Sequence, residues 1–124
     1  MKVEPVQIAG RDGDTAHNLE RALAAIADCA ADTELVVFPE THLTGFPSED
    51  NIAALAEPLD GPTVSAVQRV ARERNVSVAI GIAEADAGRY YNTTLLIAGT
   101  AASLERALTL RSHWLIDLKP WWLG

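Results

Sequence analysis

Cysteine and basic side chains are scarce in this chain of 124 residues. Its single cysteine forms no internal disulfide, so the fold does not depend on one, and a cytoplasmic location is expected. No stretch approaches the roughly 18–20 apolar residues that a membrane span needs, and the first residues lack the charged and then apolar layout of a signal peptide. Only 10 Lys and Arg accompany 17 Asp and Glu, a net charge of -7, which argues against nonspecific binding to nucleic acid or to anionic membranes.

Metal and cofactor motifs are also missing. The three histidines, His17, His42 and His113, are far apart and lack the spacing of metal ligands, so each is expected to be a surface or loop residue. The glycines form no phosphate-binding loop, and Ser65 and Ser103 lack the G-x-S-x-G context of a serine nucleophile. We therefore expect neither a metal nor a cofactor.

Hydrophobic residues make up 48% of the chain, too many for a disordered protein and enough for the core of one domain. Their periodicity predicts alternating strands and helices. The predicted strands are 3–9, 35–38, 76–83 and 90–98. Three helices are predicted: the first from 14 or 15 to about 31, a short second one over 51–57, and a third that begins after the turn at 59–63. Residues 105–110 fit either a further strand or a short helix. The order β-α-β-α-α-β-β is typical of a layered α/β fold with a mixed sheet.

In the first predicted helix, an apolar stripe marks the buried face. The stripe consists of Leu19, Leu23, Ile26 and Ala30, and the solvated face of Asn18, Glu20, Arg21 and Asp28. Cys29 lies one position from the stripe, and a free cysteine usually behaves as a small buried hydrophobe. We therefore predict that Cys29 is a packing residue and not a nucleophile.

Each long helix has two candidate N-caps, whose side-chain oxygen would accept a hydrogen bond from a free backbone N–H. They are Asp14 or Thr15 for the first helix and Asp60 or Thr63 for the last one. The predicted apolar face of the last helix consists of Val64, Val67, Val70 and Ala71.

The dipeptide Ala87-Gly88 separates the last two clear strands and predicts an antiparallel hairpin. The alternative is a flavodoxin-like domain, which would continue after Gly81 with helix-linked parallel strands and would have no hairpin here.

The stretch from Leu35 to Phe46 is the most informative one for chemistry. Glu40 directly follows a short apolar strand, which Pro39 ends because proline donates no hydrogen bond to a ladder. In open α/β sheets, functional groups gather at the carboxyl ends of strands. Partial burial among apolar neighbours favours general-base chemistry in a carboxylate, so Glu40 is either a partly buried general base or a solvated residue that ends a strand.

Phe38-Pro39-Glu40 followed by Leu43-Thr44-Gly45-Phe46 resembles the signature of the nitrilase, or carbon–nitrogen hydrolase, superfamily. Further segments resemble the family in order and spacing, so that the resemblance covers nearly the whole chain. They are Val3-Glu4-Pro5-Val6-Gln7-Ile8, Gly13-Asp14-Thr15 with Asn18-Leu19, Leu59-Asp60-Gly61-Pro62, Val78-Ala79-Ile80-Gly81 and Tyr91-Asn92-Thr93-Thr94.

The resemblance implies an α/β fold of the nitrilase type, an α-β-β-α sandwich with a mixed sheet that is incomplete in this chain. It also implies hydrolysis of a nonpeptide carbon–nitrogen bond in a small amide, nitrile or carbamoyl compound. In this family a Glu takes the proton from a Cys thiol, the thiolate attacks the substrate carbon, and water releases the acid from the covalent intermediate. A Lys stabilises the developing negative charge. Glu40 matches the general base.

The nearest match to the family's lysine motif is 109–114, Thr-Leu-Arg-Ser-His-Trp, which places Arg111 where the Lys belongs. Arginine is a planar fork that stays charged, whereas lysine is a compact point donor, so the two are not interchangeable at a tight site. Arg111 therefore either holds an oxyanion or ends a strand and faces water.

The family's Cys motif has no counterpart in this sequence. We therefore interpret residues 1–124 as the N-terminal portion of a single carbon–nitrogen hydrolase domain, which we expect to be inactive alone. The alternative is a noncatalytic binding or assembly protein that kept the scaffold and lost the reaction. The apolar segments Trp114-Leu115-Ile116 and Trp121-Trp122-Leu123 predict self-association into a homo-oligomer.

Overall fold

The computed structural model describes residues 1–99 and 108–113. Its elements are β1 (Val3–Pro5), α1 (Thr15–Ala27), β2 (Leu35–Val37), α2 (Ile52–Leu55), α3 (Pro62–Arg74), β3 (Ser77–Asp86), β4 (Arg89–Ile97) and β5 (Leu108–His113). The predicted order of strands and helices is confirmed. Residues 108–110, part of the segment that fits either a strand or a helix from its sequence, belong to strand β5. No helix in these two ranges is both long and apolar enough to cross a bilayer. The apolar segments predicted to mediate self-association lie outside the described residues.

The five strands form one mixed sheet in the order β1-β2-β3-β4-β5. The pairs β1–β2 and β2–β3 are parallel, whereas β3–β4 and β4–β5 are antiparallel. The hairpin between β3 and β4 turns at Ala87 and Gly88, whose φ angles of 51° and 76° are the positive values that a tight two-residue hairpin turn needs. The predicted hairpin is therefore confirmed, and the flavodoxin-like alternative is wrong.

One face of the sheet packs against the helices and forms the core. The helices α1 and α3 pack against each other and against alternate residues of the central strands, since successive strand residues point to opposite faces. The main core residues are Ala22, Ile26, Val36, Val64, Val67, Ala71, Val78, Ile80, Ile82 and Leu95. On the opposite face Leu96 is 38% exposed. The described residues thus form one helix layer and one sheet layer of the expected sandwich.

The first helix is shorter than its apolar pattern predicts. It ends at Ala27, where the Asp28 N–H donates to the Ala24 carbonyl at 2.9 Å and the Cys29 N–H donates to the Ile26 carbonyl at 3.4 Å. Cys29 therefore lies beyond the helix and not on it, but it is buried in the core cluster as expected of a packing residue. The prediction that Asn18 faces water is wrong, because Asn18 is only 1% exposed.

The two long helices are capped differently. Asp14 caps α1 by accepting a hydrogen bond from the His17 N–H at 3.1 Å. Neither Asp60 nor Thr63 caps α3, whose N-cap is Gly61 without a side-chain hydrogen bond. Thr63 instead donates to Glu57 Oε1 at 2.8 Å. Pro62 at the first turn of α3 explains why this helix starts well without a side-chain cap, since proline lacks the N–H that a cap would satisfy.

Candidate active site

The chain that leaves β2 stays attached to the neighbouring strand β3. The Phe38 N–H donates to the Ala79 carbonyl at 2.8 Å, and the Leu43 N–H donates to the Gly81 carbonyl at 3.1 Å. Further along, the Ala83 N–H donates to Thr44 Oγ1 at 3.1 Å. The segment 38–44, which we call the β2 exit loop, is therefore held along its length by β3, and such support positions a functional group more firmly than a free loop does.

A close backbone contact with β3 determines where Glu40 lies. A Cβ atom on Gly81 would be 2.9 Å from the Glu40 carbonyl carbon and closer still to the Thr41 nitrogen, so only glycine fits beneath the exit loop. Thr41 itself has a φ of 51°, an unfavourable conformation for a β-branched residue that is typically kept at functional sites. Both features indicate that the placement of Glu40 is specified by the fold.

A second loop, between β1 and α1, is locked onto the exit loop. The buried Asn18 side chain donates to the carbonyls of Arg11 and Leu43 and accepts from the Arg11 N–H. Asp12 Oδ1 accepts from the Phe46 N–H at 3.1 Å. Asn18 is buried because these backbone groups satisfy its amide, as a buried polar side chain requires. A pattern of apolar residues alone could not reveal this role.

The two loops enclose an open cavity of about 140 Å³. Its lining residues are Ile8, Gly10, Asp12, Pro39, Glu40, Thr41, His42, Gly45 and Phe46. The Glu40 side chain is exposed at this cavity, so the predicted partial burial is wrong. The Asn92 side chain on β4 donates a hydrogen bond to Glu40 Oε1. The carboxylate is thus held at the carboxyl end of β2 with access to a ligand, and it can accept a proton there.

Arg111 does not join Glu40 in this cavity. It lies opposite Thr93 in the β4–β5 register, whereas Glu40 contacts the adjacent Asn92, which points to the other face of the sheet. The Arg111 guanidinium donates to both oxygens of Glu84, at 2.9 and 2.6 Å, and to Asp86 at 3.1 Å. The structure therefore places the two predicted site residues in separate clusters, one on each face.

The Arg111 cluster contains a buried carboxylate that the sequence patterns did not reveal. Glu84 is 2% exposed and also accepts a hydrogen bond from Thr93 Oγ1 at 2.7 Å, while the guanidinium lies 4.5 Å from the centre of the Tyr91 ring. A buried carboxylate needs such a paired cation. The one signal in the sequence is that a charged residue directly follows the predicted strand 76–83, whereas β3 continues to Asp86 and includes Glu84.

The cysteine thiol is not part of the cavity. Cys29 is 8% exposed and belongs to the core cluster. Arg74 donates to its carbonyl oxygen at 2.8 Å. In the part of the chain that the structure describes, the Glu40 cavity therefore has no thiol among its lining residues.

His42 is a loop residue, one of the two alternatives that the sequence predicts, and it is buried next to Glu40 rather than at the surface. Its ring lies 5.1 Å from that of Phe38, it is 5% exposed, and its Nε2 has no hydrogen-bond partner among the described residues. Burial lowers the pKa of His42, because desolvation disfavours the charged imidazolium, and a hydrogen bond to the Asn18 backbone offsets only part of this effect. Within the described ranges no group of three His, Cys, Asp or Glu residues could hold a metal ion.

The buried His42 gives the stability of the fold a pH dependence with a defined sign. Its native pKa is below the ordinary value of 6.5, so the unfolded chain binds more protons between the two values, and the free energy of unfolding falls as the pH falls below 6.5. One such group contributes a slope of at most about 1.4 kcal/mol per pH unit. Urea unfolding at a series of pH values below 6.5 measures this slope. The free energy of unfolding should depend less on pH in His42→Phe, and it should depend on pH as in the unmodified chain in the control His17→Gln. An unchanged slope in His42→Phe would contradict this assignment.

Comparison with known protein sequences identifies a family and similar enzymes. The family model described as carbon-nitrogen hydrolase matches residues 2–115. An (R)-stereoselective amidase from Pseudomonas sp is 50% identical over 105 residues, which cover 85% of this chain and 38% of the amidase. An aliphatic nitrilase from Rhodococcus rhodochrous is 30% identical over 126 residues, which cover 90% of this chain and 34% of the nitrilase. The chain therefore spans little more than a third of the length of these relatives.

Solved structures agree on the fold. A CN-hydrolase superfamily protein from Xanthomonas campestris superimposes with a TM-score of 0.77 at 25% identity, over 91% of this chain and 40% of that one. Nit3 from Saccharomyces cerevisiae, a member of the nitrilase superfamily, superimposes with a TM-score of 0.73 at 22% identity, over 96% of this chain and 46% of that one. With an α/β mixed sheet of this topology and a family match over most of its residues, the chain belongs to the carbon–nitrogen hydrolase family.

Proposed function

We propose that this chain supplies the general-base part of a site that hydrolyses a small amide or nitrile, and that Glu40 is the base. The supporting observation is the Glu40 carboxylate itself, exposed at a cavity, fixed by the exit loop and held by Asn92. From this position it can take a proton from a thiol nucleophile and return it to the leaving group. The amidase and the nitrilase among the relatives support this substrate class.

We further propose that residues 1–124 correspond to the N-terminal portion of one such domain. The order of the matched motifs and the 38% of the amidase that the chain covers support this correspondence. The role of Arg111 at the family's lysine position stays a prediction. In the structure its guanidinium is occupied by Glu84 and Asp86 on the far face of the sheet from Asn92.

The isolated chain should not turn over amides. Covalent catalysis needs a thiolate within reach of the base, and the only cysteine of the sequence, Cys29, is packed in the core and not in the Glu40 cavity. Removing a nucleophile from such a constellation removes nearly all of the catalysed rate.

An exchange of segments tests this function. The matched segment of the 50% identical Pseudomonas amidase is replaced by the corresponding residues of the present chain, giving a protein that we call the hybrid amidase. We expect the hybrid amidase to hydrolyse the amide substrate of its parent and the isolated chain to release no ammonia from simple amides or nitriles. Ammonia release by both proteins is measured under the same conditions, and circular dichroism verifies that each is folded.

Two results would contradict the proposal. A folded hybrid amidase that stays inactive even with Arg111→Lys would show that this segment does not supply a working base. Turnover by the isolated chain that Glu40→Gln abolishes would show that the chain is an enzyme on its own.

A noncatalytic binding or assembly protein is the second candidate function, and it is favoured by Arg111, whose guanidinium is held by Glu84 and Asp86 on the far face of the sheet from Glu40. It predicts a folded, inactive hybrid amidase together with an isolated chain that still binds amides at the Glu40 cavity. A fold of this kind hosts more than one function, so the exchange experiment decides between the two candidates.

A further inference from the structure

The charged side chains that line the Glu40 cavity have one sign. Asp12 and Glu40 are both carboxylates, and no lysine or arginine is among the lining residues that the structure describes. His42, the remaining titratable group of the lining, is buried, and burial lowers the pKa of His42, so it is neutral at pH 7. A ligand with its own carboxylate would therefore meet two like charges and no cation in this cavity, which costs free energy at these short distances.

The rest of the lining is apolar on one side. Ile8, Pro39 and Phe46 contribute hydrocarbon surface, and the Phe46 side chain is 62% exposed. Its backbone N–H donates to Asp12, which places the residue beside the cavity while most of its surface is in contact with water. An apolar group of a ligand would cover this surface and remove it from water.

The polar groups of the cavity are mainly hydrogen-bond acceptors. The carboxylates of Asp12 and Glu40 accept only. The Nε2 atom of His42 is buried away from solvent, so it offers a ligand no contact. A primary amide group has two N–H donors, which suit the two carboxylates.

We propose that the Glu40 cavity selects small amides whose acyl group is apolar and neutral or cationic, and that it excludes amides and carbamoyl compounds that carry a carboxylate. Asp12 is the residue that sets this charge preference, and Phe46 provides the apolar contact. The proposal rests on the function proposed above, because it assigns a substrate class to the same cavity.

Three ligands of matched length test the charge preference. They are butanamide, which is neutral, 4-aminobutanamide, which is cationic, and succinamate, which is anionic. Each is titrated into the ¹⁵N-labelled chain at low ionic strength, and the backbone amide shifts of Gly45 and Phe46 are followed. We expect succinamate to bind at least about tenfold more weakly than butanamide, and we expect the gap to narrow as salt screens the carboxylates.

Variants connect the preference to named residues. Asp12→Asn keeps an oxygen that can accept from the Phe46 N–H but removes the charge, so it should strengthen succinamate binding and weaken 4-aminobutanamide binding. Asp50→Asn, an exposed carboxylate outside the lining, is the matched control and should change neither. Phe46→Ala should weaken butanamide binding.

Succinamate that binds as tightly as butanamide would overturn the proposal. An Asp12→Asn variant with an unchanged ratio of the dissociation constants of succinamate and butanamide would overturn it as well. Failure of all three ligands to bind would also overturn it. These binding results do not test the role of Glu40, which is tested by turnover of the hybrid amidase. If the hybrid amidase is active, the proposed function is still supported even when the charge preference fails. An inactive hybrid amidase with the expected binding order would instead support the binding-protein alternative and leave the charge preference intact.

Discussion

Replacing Gly81 by alanine is expected to lower the free energy of unfolding by about 3 kcal/mol, the upper part of the range for overpacking a filled site. The new Cβ would lie 2.9 Å from the Glu40 carbonyl carbon and nearer still to the Thr41 nitrogen. Both neighbours are backbone atoms, which do not move aside as the end of a flexible side chain does. The exit loop would have to separate from β3, and with it the hydrogen bond from Leu43 to the Gly81 carbonyl would weaken.

The free energy of urea unfolding is compared between Gly81→Ala and Gly10→Ala, a matched change in the loop between β1 and α1. A Cβ on Gly10 would be 3.4 Å from Asn18 Oδ1, an ordinary contact, so Gly10→Ala should change the unfolding free energy by less than about 1 kcal/mol. Gly81→Ala should also shift the Asn92 side-chain amide resonances, because Glu40 moves away from its donor. Equal stability of the two variants, with unshifted Asn92 resonances, would show that β3 does not hold the exit loop in the way described.

The sequence predicted those parts of the fold that follow from local rules. The hairpin at Ala87-Gly88 follows from turn chemistry, and the position of Glu40 at the end of β2 follows from a short apolar run that a proline stops. The burial of Cys29 follows from the usual behaviour of free cysteine. In each case a few neighbouring residues determine the outcome.

The contacts that the sequence did not predict join residues far apart along the chain. Asn18 is buried because backbone groups of two loops satisfy its amide, and Glu84 is buried because β5 brings Arg111 to it. A helical wheel or a strand pattern gives no information about either partner. For the same reason the pattern could not show that Asn92 holds Glu40, which depends on the packing of the exit loop over β3 and β4.

Replacing Glu40 by glutamine should remove most of the turnover of the hybrid amidase. Glutamine has the same shape and keeps an oxygen that can accept the hydrogen bond from Asn92, so the cavity and the fold should be preserved. It is not a base, however, and loss of a positioned general base costs about 10²–10⁴ in rate. The loss should appear in kcat, whereas substrate binding changes little, because proton transfer belongs to the transition state.

The matched control is Glu49→Gln, which removes an exposed carboxylate of the loop that precedes α2, outside the lining of the cavity. The hybrid amidase that carries Glu49→Gln should keep the turnover of the unmodified hybrid amidase. Thermal unfolding of the hybrid amidase and of its Glu40→Gln and Glu49→Gln variants verifies that any difference in turnover does not arise from a loss of fold.

Whether Glu40 is the general base is decided by the kcat of the Glu40→Gln hybrid, measured beside that of the Glu49→Gln hybrid. We expect kcat to fall by about 10²–10⁴ for Glu40→Gln alone, at unchanged thermal stability. Equal kcat values for the two hybrids would contradict the assignment of Glu40 as the general base.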